Sequence, residues 1–354
     1  MFLNRDKDKD ESRERFELLQ DVMILEKLCN ASGPSGYEGE VRNMIKETVK
    51  NYADEIITDR MGNIIAHKKG EGKKVILDAH MDEVGFIITA FNEDGTLKFS
   101  SLGGINSKVI PCKTVLIGEN KIPGVIGIKP IHLQNKDERE GTLSYSDCCI
   151  DIGTNSKEET KKLISLGEYA VFDTAFSGFG EGLIKGKAFD DRIGCAVVIN
   201  ALKEDYNCDL YGVFNVQEEV GERGANVSAF KIQPDIGIAI EGTICADMAN
   251  VPPHLRATEL GKGPAISIMD RTSIFNSDIA EDIMKVAAEK GIPYQRRRAA
   301  AGGNDAGVIH MSGEGAKVAT VSIPCRYIHS SVSAASIEDY VSTTKLIIEY
   351  LKTL

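Results

Sequence analysis

A change of texture at residue 86 constrains the fold of this chain more than any other feature. From Phe86 to Phe176 the sequence consists of short strand-like runs, such as Thr114-Val115-Leu116-Ile117 and Gly124-Val125-Ile126-Gly127-Ile128, punctuated by Gly and Pro. Before it, Phe16, Leu19, Val22, Met23 and Leu28 recur at a helical period that ends at Gly33-Pro34-Ser35-Gly36. Ser35 with Glu38 three residues on has capping-box spacing and predicts a second helix carrying Val41, Met44, Ile45 and Val49. Strands are expected at Asn63 to His67 and Val75 to Ala79. Beyond Lys185, helix and strand patterns alternate: Asp191 to Leu202, Leu210 to Val216, Ile236 to Ile240, Ile279 to Glu289, Lys317 to Ile323 and Ile337 to Leu351.

Such alternation predicts a helix-flanked, largely parallel sheet, and the 354 residues exceed what one small core needs. The expected organisation is therefore an α/β unit built from residues 1–85 and 177–354, interrupted by a small β domain at 86–176. Residues 1–15 form a charged N-terminal segment to which no function is assigned.

The balance of 42 basic against 53 acidic residues gives a formal charge of −11, the wrong sign for nucleic acid or an anionic membrane surface. The one basic run, Arg296-Arg297-Arg298, sits in a strand-like stretch and is read as local in effect. Eight scattered cysteines without a C-x-x-C pair fit reduced thiols in a cytoplasmic protein. No apolar run reaches the roughly 18 residues of a membrane helix.

Chemistry-bearing side chains gather where strands end, the place at which open α/β sheets present ligands. His80 and Asp82 follow the strand ending at Ala79 and share a face in extended chain, so that a carboxylate can orient the imidazole. Asp190-Asp191 stands at a strand-to-helix junction and reads either as ligands or as a helix N-cap pair. Glu218-Glu219 follows a buried strand, where adjacent carboxylates repel unless a cation sits between them or one holds a proton; a solvated loop is the alternative. Glu241 ends another apolar strand, with Asp247 six residues on, and in Ser322 to Ser330 a strand gives way to a loop and then to His329. Two histidines and three or four carboxylates at strand ends match a carboxylate-bridged dinuclear site suited to zinc, cobalt or manganese.

The segments DAHMDEVG (78–85), GKAFDDRIG (186–194), VQEEVGERGA (216–225), GGNDAG (302–307) and IPCRYIHS (323–330) resemble, in order and spacing, the tetrahedral metallo-aminopeptidase family. Its members include glutamyl, leucyl and lysyl aminopeptidases, some described as endoglucanases. The resemblance implies a zinc-peptidase-like mixed sheet flanked by helices, a β-barrel dimerisation domain at 86–176, and dimers assembling into a dodecamer. It implies two divalent ions per subunit held by His80, Asp190, Glu219, Glu241 and His329, with Asp190 bridging. Glu218 would be the general base, and Asp82 the acid behind His80. Two departures stand out: Glu241 where relatives often have Asp, and Asn304 where many have Thr. The expected substrates are peptides with a free N-terminus; a deacylase or dipeptidase is the main alternative, and a glycoside hydrolase would leave both histidines without a task. The specificity pocket is expected near Asn304 or in the 247–256 loop, with no class of side chain chosen.

Overall fold

The computed structural model describes residues 20–298 and 301–354. The charged segment 1–15 and the helix pattern as far as Leu19 lie outside the described residues. A helix covers residues 20–30, and α1 (Gly39–Val49) buries Val41, Ile45 and Val49 at helical spacing. Its start differs from expectation. Glu38 stands at the N-cap with no side-chain cap, and its carboxylate instead accepts from the Gly36 amide. The Ser35 hydroxyl donates to the buried Asp82 carboxylate at 2.6 Å, a charge-assisted hydrogen bond.

Strands β1 (Glu55–Thr58), β2 (Ile64–Lys68) and β3 (Lys74–His80) precede the inserted segment, in which β4 (Gly85–Phe91), β5 (Leu97–Leu102), β6 (Thr114–Ile117), β7 (Ile122–Ile128), β8 (Cys148–Asp151) and β9 (Tyr169–Phe172) close into a barrel. Its pairings are all antiparallel, and edge-to-face contacts of Phe86 with Phe99 and Phe172 fill its centre. The chain then continues through β10 (Ser177–Phe179), β11 (Leu183–Gly186), α2 (Phe189–Ala201), β12 (Asp209–Asn215), α3 (Arg223–Ile232), β13 (Ile236–Ile244), β14 (Ala265–Ile266), α4 (Ser277–Glu289), β15 (Gln295–Arg296), α5 (Ala306–His310), β16 (Lys317–Arg326), β17 (Ser333–Ser336) and α6 (Ile337–Leu351).

The main sheet runs β1-β2-β12-β3-β13-β16-β17-β11-β10, with β14 and β15 attached beside β16. Along that path the central four strands, β12, β3, β13 and β16, run parallel and antiparallel strands flank them, so the sheet is mixed. The α2 helix is apolar almost all round and packs on β3 and β13 as the centre of the core, as such a helix must to leave water. Strand β13 runs past its expected end: Glu241 lies inside it, and pairing with β16 continues to Ile244. Among the described residues no helix is long and apolar enough to cross a membrane.

Candidate active site

The four parallel strands point their C-terminal ends the same way, which brings distant parts of the sequence to one edge. His80 closes β3 opposite Asn215, the last residue of β12. Glu218 and Glu219 follow β12, and Glu241 stands two residues past the Asp78–Ala239 pair of β3 and β13, level with His80. The turn after β16 supplies His329.

Asp82 organises this edge from behind. Its carboxylate accepts from the Ser35 hydroxyl and from the Glu218 and Glu219 amides, at 3.0 and 3.2 Å for the latter two. It also lies 3.4 Å from His80 Nδ1, leaving Nε2 of that ring turned forward. These charged hydrogen bonds overcome the burial that would raise Asp82, and its pKa falls below the usual carboxylate value.

The adjacent acids Asp190 and Asp191 divide the two roles open to them. Asp191 accepts from the Gly194 amide at 3.0 Å, the bond of a helix cap. Asp190 faces the site, with one oxygen 3.3 Å from His80 Nε2 and the other 3.1 Å from His329 Nε2. Around these, Glu218 and Glu241 each approach His80 Nε2 to 3.8 Å, and Glu219 lies 3.5 Å from His329 Nε2. All seven expected site residues thus converge. Asp247 does not join them: Arg326 binds it through two nitrogens at 2.7 and 2.8 Å and holds its carboxyl down at about 2 against the pull of burial.

The inserted barrel reaches the site through the backbone just past β5, and Phe172 of β9 lines a small cavity with Asp190, Glu219 and His329. The Gly104 carbonyl, just past β5, accepts from His329 Nδ1 at 2.8 Å and fixes which nitrogen faces Asp190. Gly103 has φ +83°, and a Cβ there would stand 2.9 Å from Val84 and 3.1 Å from Glu219. A second support lies on the other side. The Glu83 carboxylate, Lys187 and the fully buried Arg192 form one network with the Leu28, Ala31 and Gly33 carbonyls, pinning the 28–33 segment against the loop that carries Asp190. The paired glycines and the basic residues flanking FDD were the signals for these supports, and neither has a motif that distinguishes it from ordinary turn or surface sequence.

Burial drives the Glu218, Glu241 and Asp191 carboxyls well above their ordinary values and Glu219 up to about 7. For His329, burial favours the neutral ring, but Asp190 and Glu219 outweigh it and raise the imidazole to about 10. Carboxyls pushed up beside imidazoles pushed up mark an acidic cluster in which protons stand in for positive charge. Glu241 Oε1 and Asp191 Oδ2 are moreover buried without a hydrogen-bond partner. His80, Asp190 and Glu219, and likewise His80, Asp191 and Glu241, can each converge one donor atom on a common point. A nitrogen-and-oxygen donor set with orphaned buried oxygens fits divalent cations.

A cavity of about 180 Å³ opens beside this cluster. Asn304 lines it, as expected, whereas no residue of the 247–256 loop does. Arg297, from the run read as local in effect, also lines it.

A profile of the M42 glutamyl aminopeptidase family matches residues 62–346, most of the chain. The chain belongs to that family. As an M42 member it is a metal-dependent peptide-bond hydrolase. The lysyl aminopeptidase of Pyrococcus furiosus is 32% identical over 94% of this chain and 98% of its own. The TET aminopeptidase of a Thaumarchaeota archaeon from marine sediment superposes with a TM-score of 0.92 at 36% identity, covering 95% and 96% of the two chains. The TET1 peptidase of Pyrococcus horikoshii, described as assembling into a tetrahedron or a large octahedral shell, matches with a TM-score of 0.84 at 31% identity over 94% and 100%. The sheet with its closed six-strand barrel is thus the fold of M42 peptidases of TET type.

Proposed function

We propose that this M42 peptidase is a dinuclear aminopeptidase that removes N-terminal residues from peptides with a free α-amino group. The observation that carries the reading is the division of Asp190, whose two oxygens face two different imidazoles. His80, Asp190 and Glu241 would hold one divalent ion, and His329, Glu219 and Asp190 the other, with zinc, cobalt or manganese compatible with these donors. Bound there, the ions supply Lewis-acid polarisation of the scissile carbonyl and a more acidic water.

The protein's own groups do the rest. Glu218 accepts the proton of the attacking water and delivers it to the leaving amine, which calls for a carboxylate whose surroundings disfavour permanent ionisation. Its burial among Asp305, Glu219 and Asp82 supports that role. Asp82 holds the His80 ring and the 218–219 backbone in one arrangement. The eight free thiols support a reducing, cytoplasmic setting. The likeness to tetrahedral and octahedral peptidases supports a homo-oligomer, with the barrel as the dimerisation surface.

A panel of Glu, Asp, Leu and Lys p-nitroanilides with N-acetylated controls, assayed after chelation and return of each metal, tests the reading. Metal-restored cleavage of free-amine substrates alone is the expected result, with two ions per subunit by elemental analysis. Cleavage of the acetylated controls as well would mean that a free α-amino group is not required and would overturn the aminopeptidase reading.

A further inference from the structure

The GGNDAG segment supplies Asn304 to the cavity wall, whereas the acid beside it, Asp305, belongs to neither group of metal donors described above. Asp305 stands at the N-terminus of α5, where an aspartate ordinarily caps the helix, yet its side chain caps nothing there. It is fully buried and turns instead toward Asn215, the last residue of β12.

Asn215 is also fully buried, and its carboxamide is engaged at both ends. Nδ2 donates to Asp78 Oδ1 and to Asp305 Oδ2, the latter at 3.3 Å, and Oδ1 accepts from the Ser228 hydroxyl at 2.8 Å. One side chain thereby joins β3, β12, α3 and the start of α5. Three of these lead to working parts of the site: Asp78 precedes His80 by two residues, Asn215 precedes Glu218 by three, and Asp305 directly follows the 302–304 wall of the cavity. Leucine at 215 would make none of these bonds, and an ionised aspartate would have no hydrogen to offer two carboxyl groups that already face one another. With every partner buried, each lost bond is costly. The wall has little slack of its own, since a Cβ on Gly303 would stand 2.5 Å from Thr272 and 3.0 Å from Glu222. Asp305 is moreover one of the carboxyls packed around Glu218, so wall and base adjoin.

We infer that Asn215 is a positioning residue for the hydrolysis: its carboxamide holds Asp305, and with it the cavity wall against which the substrate lies, in register with the strand end that carries Glu218. The inference rests on the aminopeptidase reading above and adds a group that acts through others rather than on the substrate.

The test is kcat and KM, for the aminoacyl p-nitroanilide that the metal-loaded wild type cleaves fastest, of Asn215→Leu, Asp305→Asn and Asp305→Ala, each alone and combined with Glu218→Gln. Asn215→Leu should lower kcat by about 10- to 100-fold, the scale of a misplacement of roughly 1 Å, with both ions retained by elemental analysis. In the Glu218→Gln background the same change should cost far less, because a base that is gone cannot be misaligned. Asp305→Asn keeps an oxygen for Asn215 and should hold most of the wild-type kcat, whereas Asp305→Ala should fall with Asn215→Leu. Equal fractional losses in both backgrounds, or a change in the unfolding midpoint alone, would overturn the inference and leave the aminopeptidase standing. So would an Asp305→Asn variant as slow as Asp305→Ala, or loss of metal from folded Asn215→Leu. If Asn215→Leu does not fold, the two Asp305 variants and their combinations with Glu218→Gln carry the same decision. Silence of the metal-loaded wild type on every substrate would remove both readings.

Discussion

The sheet and the barrel meet the metal cluster in opposite ways. The sheet contributes side chains: one from each of β3 and β13, and others from the turns that follow β12 and β16. The barrel contributes the Gly104 carbonyl and the empty space at Gly103. A side chain announces its chemistry in the sequence, whereas a carbonyl belongs to every residue and a missing Cβ to every glycine. The contrast extends to the cores. The barrel interior is apolar, with Phe86, Phe99 and Phe172 at its centre, while the sheet buries Asp78, Asp82, Asp191, Arg192 and Asp305 near the strand ends. Buried charge of that density is costly unless it is paired or coordinates cations, so the catalytic half of the molecule gives up apolar packing for a site and the barrel does not.

Four changes sharpen or break this comparison. Glu218→Gln, on the sheet side, should cut kcat by about 100- to 10,000-fold while elemental analysis still finds both ions; near-normal turnover would remove Glu218 from its role. Asp190→Asn takes away the oxygen charge shared by both imidazoles. Bound metal should fall at both positions together, and metal titration should show a loss larger than the roughly 10- to 100-fold that an orienting partner contributes. Loss of one ion alone would mean that Asp190 does not bridge.

On the barrel side, Phe99→Ala removes a nearly buried ring and should cost about 3–5 kcal/mol of barrel stability by denaturant unfolding, with the metal content of the folded protein unchanged. Metal loss from still-folded protein would show that the barrel core does support the site. Gly103→Ala should do the reverse. It places a Cβ at positive φ against Glu219, and should weaken one of the two ions by about 10- to 100-fold with little effect on global unfolding. An unchanged metal titration would make the glycine a matter of backbone turn alone.

Much of the site was legible because its donors sit at the ends of apolar strand runs, and because the five motifs match those of a known family. What escaped was orientation. Adjacent Asp190 and Asp191 are identical in type and differ only in what surrounds them, so ligand and helix cap could not be told apart before the fold was known. Ser35 has the spacing of a capping box with Glu38, yet a buried carboxylate 47 residues away claimed its hydroxyl. Arg297 looked like one member of a charged run, because only pairing of β15 with β14 turns it away from its neighbours.

By itself, then, the sequence determined which elements form and which donor types stand at their ends, since hydrophobic period and residue chemistry are local properties. It also determined the interruption by a β segment, through the loss of helical period after residue 86. Only the tertiary structure decided that β12 lies between β2 and β3, that four parallel ends meet at one edge, and that a barrel carbonyl sets the His329 ring. Those are relations between residues far apart in the chain, and the strand order and register that create them depend on which faces can be buried together.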